Sequence, residues 1–221
     1  MNVLYEDNHL IIINKNCGEL VHSDISGDVA LEQKVKEYLK KKCNKPGEAF
    51  LGVIHRVDRP VSGIVMFART SKALVRMNKL LQLNKIKKTY WAIVKDLPQK
   101  EEDILIHYIV RNNKINRSHA HKTEKSGSKK AVLRYRHIAS SDRYHLLEID
   151  LQTGRHHQIR CQLAAVGSPI RGDLKYGFPR SNPNGGISLH ARKIQFVHPI
   201  KNEEIEIIAK TPEEWDKFEF E

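Results

Sequence analysis

Cysteine is scarce in this chain of 221 residues: Cys17, Cys43 and Cys161 are odd in number, widely spaced and without a C-x-x-C pair. That excludes a disulfide framework and a zinc knot, and we expect three reduced, structural thiols. Long apolar runs are missing too. With no stretch near the roughly 20 apolar residues of a membrane helix, no signal-peptide core and no strongly amphipathic basic helix, the expectation is a soluble, cytoplasmic protein with no membrane partner. Acidic residues are outnumbered, 26 Asp plus Glu against 38 Lys plus Arg, and the resulting formal charge of +12 favours a polyanionic partner, nucleic acid first. The 12 histidines follow no H-E-x-x-H or other ligand spacing, and adjacent His156 and His157 cannot share a helix face, so no metal is expected. No repeat or linker divides the chain. Its length suffices for one sizeable core and does not require two, so we expect one domain over 1–221, acting as a monomer.

What is present centres on His55 to Thr70, His-Arg-Val-Asp-Arg-Pro-Val-Ser-Gly-Ile-Val-Met-Phe-Ala-Arg-Thr, which fixes one carboxylate among cations. Asp58 lies between Arg56 and Arg59. Pro60 fixes its own φ and biases Arg59 away from helix, while Gly63 permits a tight bend, so Asp58 is expected on a shaped loop opening into a strand over 64–68. A carboxylate beside two guanidiniums stays ionised at neutral pH, which suits a nucleophile, a base or a structural ion pair. A second stretch, Leu151-Gln152-Thr153-Gly154-Arg155-His156-His157-Gln158-Ile159-Arg160, brings two guanidiniums and an amide to a strand-to-helix junction.

These stretches, together with Lys88-Thr89-Tyr90-Trp91-Ala92 and Pro169-Ile170-Arg171-Gly172-Asp173-Leu174-Lys175-Tyr176-Gly177, occur in an order that resembles the RluA-type pseudouridine synthases, from about residue 3 to 210. The family's Lys-Pro-Xaa-Gly-Xaa-Xaa-Val-His pattern reads here Lys15-Asn16-Cys17-Gly18-Glu19-Leu20-Val21-His22; the proline is missing, which bears on that loop's shape. The resemblance implies a catalytic domain without the S4-like RNA-binding domain of many relatives, leaving recognition to the basic surface. It also implies isomerisation of uridines in ribosomal or transfer RNA, and it places the family's active-site tyrosine on Tyr90.

Periodicity supplies the elements. β-rich runs at 3–6 and 9–14 form a hairpin, and helices are expected over 29–42, ending in Lys40-Lys41-Lys42, and over 71–83, with Met77 in the core. Further strands are expected at 85–94, 104–110, 131–137, 144–151, 189–196 and 203–209, with a helix at 156–166 and a short one opening at Thr211-Pro212. Residues 112–129 read as a polar excursion able to fold around phosphates, since Arg111 to Lys130 holds seven Lys or Arg and one acid and has no apolar period. The class is therefore α+β: a mixed, largely antiparallel sheet with flanking helices and a central active-site cleft.

Uridine isomerisation breaks the N1–C1′ bond, rotates the uracil and joins C5 to C1′, a redox-neutral change that needs no cofactor. Asp58 could add to C6, attack C1′, or take a ribose proton to give a glycal. Arg160 is the first choice to pair with Asp58 and order it, with Arg155 second. The nucleotide must leave its stack, and Tyr90 would lie against the base. Arg56 and Arg59 could hold phosphates or fill the vacated space, and His55 reads as a turn residue. His55, Arg56, Arg59, Arg155, His157 and Gln158 are the expected substrate contacts, and Gly154 is read as allowing close backbone approach. The alternatives are an inert RNA-binding module on the same scaffold and, much more weakly, a histidine phosphodiesterase.

Overall fold

The computed structural model describes residues 1–23, 27–44 and 47–216. They divide into two compact units: Met1–Ile86 with Ala191–Lys210, and Lys87–His190 with the chain from Thr211.

In the first unit, β1 (Asn2–Glu6) and β2 (Leu10–Lys15) form the expected hairpin. Its turn is made by Asp7, whose Oδ1 accepts the N–H groups of His9 and Leu10, both at 2.8 Å. Helix α1 (Leu31–Lys42) buries Leu31, Val35 and Leu39. The short β3 (Gly52–Val53) was not foreseen; it pairs with β4 (Ser62–Ala68), which also pairs antiparallel with β2 from Leu10↔Ala68 to Lys15↔Gly63. All seven residues of β4 are buried, in keeping with an apolar, partly β-branched run. Helix α2 (Ser71–Gln82) starts from Thr70, whose hydroxyl accepts the Ala73 N–H at 3.2 Å, and Met77 lies in the core as expected.

The second unit is an antiparallel sheet of β5 (Lys87–Val94), β6 (Glu102–Asn112), β7 (Arg117–His121), β8 (Lys129–Ser140) and β9 (His145–Leu151), in the order β5-β9-β8-β6-β7. Helix α3 (Gln158–Ala165) packs on β6 and β7, where Ile109, Ala131, Cys161 and Tyr176 form a core with Ala120 and Ala164. Cys161 is structural, as expected: burial pushes its thiol up to about 12. A 3-10 turn spans Leu174–Tyr176, and another at Glu213–Trp215 stands where a short C-terminal helix was expected; it inserts Trp215 beside Ile93 and Leu146.

The polar excursion is corrected. β6 runs to Asn112 and β7 pairs back along it from Tyr108↔His121 to Asn112↔Arg117, so this segment is an ordered hairpin. The inward positions of β7 are Ser118 and Ala120, too small and polar to register as an apolar period, and the hairpin is completed by backbone pairing. β10 (Leu189–Val197) starts in the second unit and from Ala191 runs in the first, where it pairs antiparallel with β11 (Glu204–Ile208). The α+β class holds, with three helices and a mostly antiparallel sheet among the described residues.

Candidate active site

The loop that carries Asp58 is tied to the strand it opens into. Ile54 N–H donates to Met66 O at 3.2 Å, and the N–H of Met66 donates to His55 Nε2 at 3.3 Å, so His55 pins the loop. Val57 and Val61 are buried anchors on either side, and Val61 N–H closes a turn on Asp58 O at 3.0 Å. Gly63 is obligatory: its φ is +106°, and a Cβ there would lie 2.4 to 2.8 Å from the backbone of Ala191. Asp58 is left partly exposed, and Arg56 and Arg59 exposed. A cleft of about 340 Å³ adjoins the loop, lined by His22, Val53, Ile54, His55 and Arg56.

Arg59 is held from behind. Its Nη2 meets Asp28 Oδ2 at 2.8 Å and its Nε donates to Gly18 O at 3.0 Å, contacts that the sequence pattern did not signal. Lys15, the lysine of the family pattern, is 1% exposed, a burial that the pattern did not signal. The Lys15 ammonium donates to the carbonyls of Asn16 at 2.9 Å, Glu19 at 3.0 Å and Arg59 at 3.1 Å, joining the end of β2 to the loop that carries Asp58. Burial pulls its pKa down to about 8, against the opposing fields of Glu19, Cys17 and Asp58. This lysine is the residue that precedes the missing proline, and Gly18 N–H donating to Arg59 O at 2.8 Å completes the junction without one.

In the second unit Tyr90 is 9% exposed on β5, opposite Ile149, while Trp91 faces the other way and donates to Glu148 at 3.2 Å. The strand's alternation was legible, and it separates the two rings as expected. The turn after β9 is organised by Gln158, whose Oε1 accepts from Thr153 Oγ1 at 2.8 Å and from Arg155 N–H at 3.0 Å while Nε2 donates to Val132 O at 3.1 Å. At 3% exposure, Gln158 shapes this turn from inside. Arg155 stays exposed, with Nε donating to Lys130 O at 3.0 Å. His157 is 9% exposed and left-handed at φ +52°, with Nδ1 2.9 Å from the Tyr176 hydroxyl, and its ring stacks on His156 at 3.8 Å. Close approach at Gly154 is not forced by the fold: a Cβ there would meet only Lys88 Nζ, at an ordinary 3.6 Å.

Helix α3 carries Arg160 inward, where Nε and Nη2 make a two-pronged pair with Asp173 at 2.7 and 2.9 Å. Both side chains are almost wholly buried. The guanidinium also lies 5.0 Å over the Tyr176 ring. Tyr176 in turn accepts the Ser118 N–H at 2.8 Å, which docks the β6–β7 hairpin beside α3; burial pushes its hydroxyl up to about 12. Asp173 and Tyr176 lie in a segment with a readable pattern, but only the fold reveals what they hold. Among the described residues, no group of three His, Cys, Asp or Glu side chains is placed to hold a metal ion.

Comparison with known proteins identifies the family. Residues 9–165 match the model of the RNA pseudouridylate synthase family. RNA pseudouridine synthase YhcT of Bacillus subtilis is 32% identical over 217 residues, covering 96% of this chain and 68% of that protein. The tRNA pseudouridine synthase C of Vibrio parahaemolyticus is 27% identical over 235 residues, with 98% and 93% covered. The ribosomal large subunit pseudouridine synthase C of Buchnera aphidicola is 32% identical over 220 residues, with 94% and 66% covered. Human RNA pseudouridylate synthase domain containing 4 shares the fold, at a TM-score of 0.80 and 22% identity over 98% of this chain and 90% of that one. Carried by a family match over most of its length and by a fold that presents the motif residues in defined loops and turns, this chain belongs to the RNA pseudouridylate synthases, isomerases of uridine in RNA.

Proposed function

We propose that the chain converts a uridine of structured ribosomal or transfer RNA into pseudouridine, with Asp58 as the catalytic carboxylate and the extruded uracil stacked on Tyr90. The observation that carries this reading is the mounting of Asp58: a partly exposed carboxylate on a loop pinned through His55, Val61, Gly63 and the buried Lys15. A reacting group benefits from such restraint because little motion is left to arrest in the transition state. Asp58 would add to the base, attack C1′ or take a ribose proton; in each route the N1–C1′ bond breaks, C5 bonds to C1′, the C5 proton leaves to solvent and N1 takes one up, so that the product is an isomer.

Arg160 is assigned to ordering the catalytic carboxylate. Asp173 takes two of its five N–H groups and so fixes the plane of the fork. Arg155, exposed beside the turn, suits a phosphate, as do Arg56 and Arg59 on the Asp58 loop. The +12 charge supports an RNA partner, and the names of relatives include both ribosomal and transfer RNA enzymes.

The test is to incubate the protein with total RNA in excess EDTA, without nucleotides, and to map pseudouridine by carbodiimide adduct and primer extension. Asp58→Asn should bind the mapped RNA as the parent does and give no product. Product at near the parent rate from a clean preparation of that variant would refute the mechanism, and binding without product by the parent itself would favour an inert module.

A further inference from the structure

Lys88 lies two residues before Tyr90 on β5, so both side chains leave the strand on one face, roughly 7 Å apart along it. Its ammonium borders the turn at Gly154, as the 3.6 Å approach to a Cβ built there shows. The side chain is partly buried, and burial lowers its pKa with no opposing contribution from any carboxylate. Among the described residues, Nζ makes no hydrogen bond and no ion pair. Lys15 shows how the same chain treats an ammonium it buries for structure, with three carbonyls within 3.1 Å. Lys88 has no such set.

A desolvated cation without a partner is costly unless a ligand supplies the anion. Beside it, Gly154 is exposed, has no left-handed φ and would tolerate a methyl group, so the fold itself does not require glycine there. Two features that the folded chain does not use thus stand side by side, next to the ring assigned to the base. We propose that Lys88 binds the backbone phosphate of the nucleotide whose uracil stacks on Tyr90, a placement that rests on the uridine-isomerase reading. Of the groups such a nucleotide offers, only the phosphate is anionic. The uracil must also turn during the reaction while the backbone stays, so a fixed cation serves the part that does not move.

The experiment is a cycle between protein and RNA, using a hairpin that carries the mapped uridine and versions with a neutral methylphosphonate at the linkage 5′ or 3′ of it. For the parent, one of the two neutral linkages should weaken binding about 10- to 100-fold, as expected when a charge-assisted hydrogen bond is removed. Lys88→Met should weaken binding of unmodified RNA by a similar factor and show no further loss on that methylphosphonate. Its unfolding midpoint should equal or exceed the parent's. The proposal is overturned if the two losses multiply, if neither linkage matters to the parent, or if Lys88→Met is clearly less stable. If the parent forms no product, the isomerase reading is refuted and the cycle is run on a hairpin from RNA that the protein retains, with each uridine linkage neutralised in turn, so that it still reports the phosphate assignment.

Discussion

Replacing Lys15 by methionine separates two roles that one buried ammonium performs. The folded pKa of about 8 lies below the unfolded value of about 10.4, so the charged form is penalised in the fold by about 3 kcal/mol at about 1.4 kcal/mol per unit. In this window the unfolded chain holds the proton more tightly, and stability therefore rises as pH goes from about 8 to about 10, contrary to the behaviour of a lysine that gains a partner. Burial also pushes Cys161 and Tyr176 up to about 12, and these groups act in the opposite direction over part of the same range. The useful quantity is thus the difference between parent and Lys15→Met in urea unfolding at pH 7, 8, 9 and 9.5. At pH 7 the variant leaves the carbonyls of Asn16 and Glu19 without their donor, at about 1–3 kcal/mol each, whereas Arg59 O keeps the Gly18 N–H. Relief of the desolvation penalty offsets about 3 kcal/mol of this, so the net effect at pH 7 should fall between a gain of about 1 and a loss of about 3 kcal/mol, shifting toward loss as pH rises. Turnover should drop on the order of tenfold, because the loop of Asp58 loses an anchor. A parent-minus-variant difference that does not change between pH 7 and 9.5 would refute the assignment of a charged, desolvated Lys15.

Three further outcomes can be checked together. Gly63→Ala should cost about 3–5 kcal/mol and lower Tm by roughly 10 °C, since its methyl meets the Ala191 backbone at 2.4 Å in a left-handed conformation; a scan within 2 °C of the parent would contradict that. Asp173→Asn should destabilise by about 3 kcal/mol and reduce turnover, because the buried Arg160 loses its counter-charge; unchanged urea midpoints would show the pair to be dispensable. Lys122, Lys125, Lys129 and Lys130 sit on or beside the strands of the β6–β8 region, and changing them to Gln should weaken binding to target and unrelated RNA alike and flatten the salt dependence by up to roughly 0.7–0.9 log units for each phosphate no longer neutralised, without moving the modified uridine. An unchanged slope would mean that these lysines face only solvent.

Much of the fold was legible because its elements bury one kind of side chain at one period. Leu31, Val35 and Leu39 at helical spacing, and Tyr90, Ala92 and Val94 at alternate positions, state their structure directly. β7 was not legible, since Ser118 and Ala120 carry no hydrophobic signal and the strand forms by pairing with β6. At the site, Asp58 and Gly63 stood out through local covalent logic: two cations, a proline and a glycine within a few residues. Lys15 and Asp173 did not. Their importance lies in burial and in partners 44 and 13 residues away, and a lysine before a polar loop or an aspartate after a glycine looks the same whether buried or exposed.

The Tyr176 hydroxyl has a bearing on self-association. β7 is the last strand in its sheet and would offer its outer backbone groups to any other extended chain. Its Ser118 N–H is already occupied by the phenol oxygen, a side chain standing where a neighbouring strand's carbonyl would dock. His119 is exposed on the same strand, while the Arg117 guanidinium turns back over the Tyr176 ring at 5.3 Å. The same hydrogen bond that seats the hairpin beside α3 therefore blunts an open edge, and a phenylalanine at 176 would return one donor to a strand otherwise ready to recruit a second molecule.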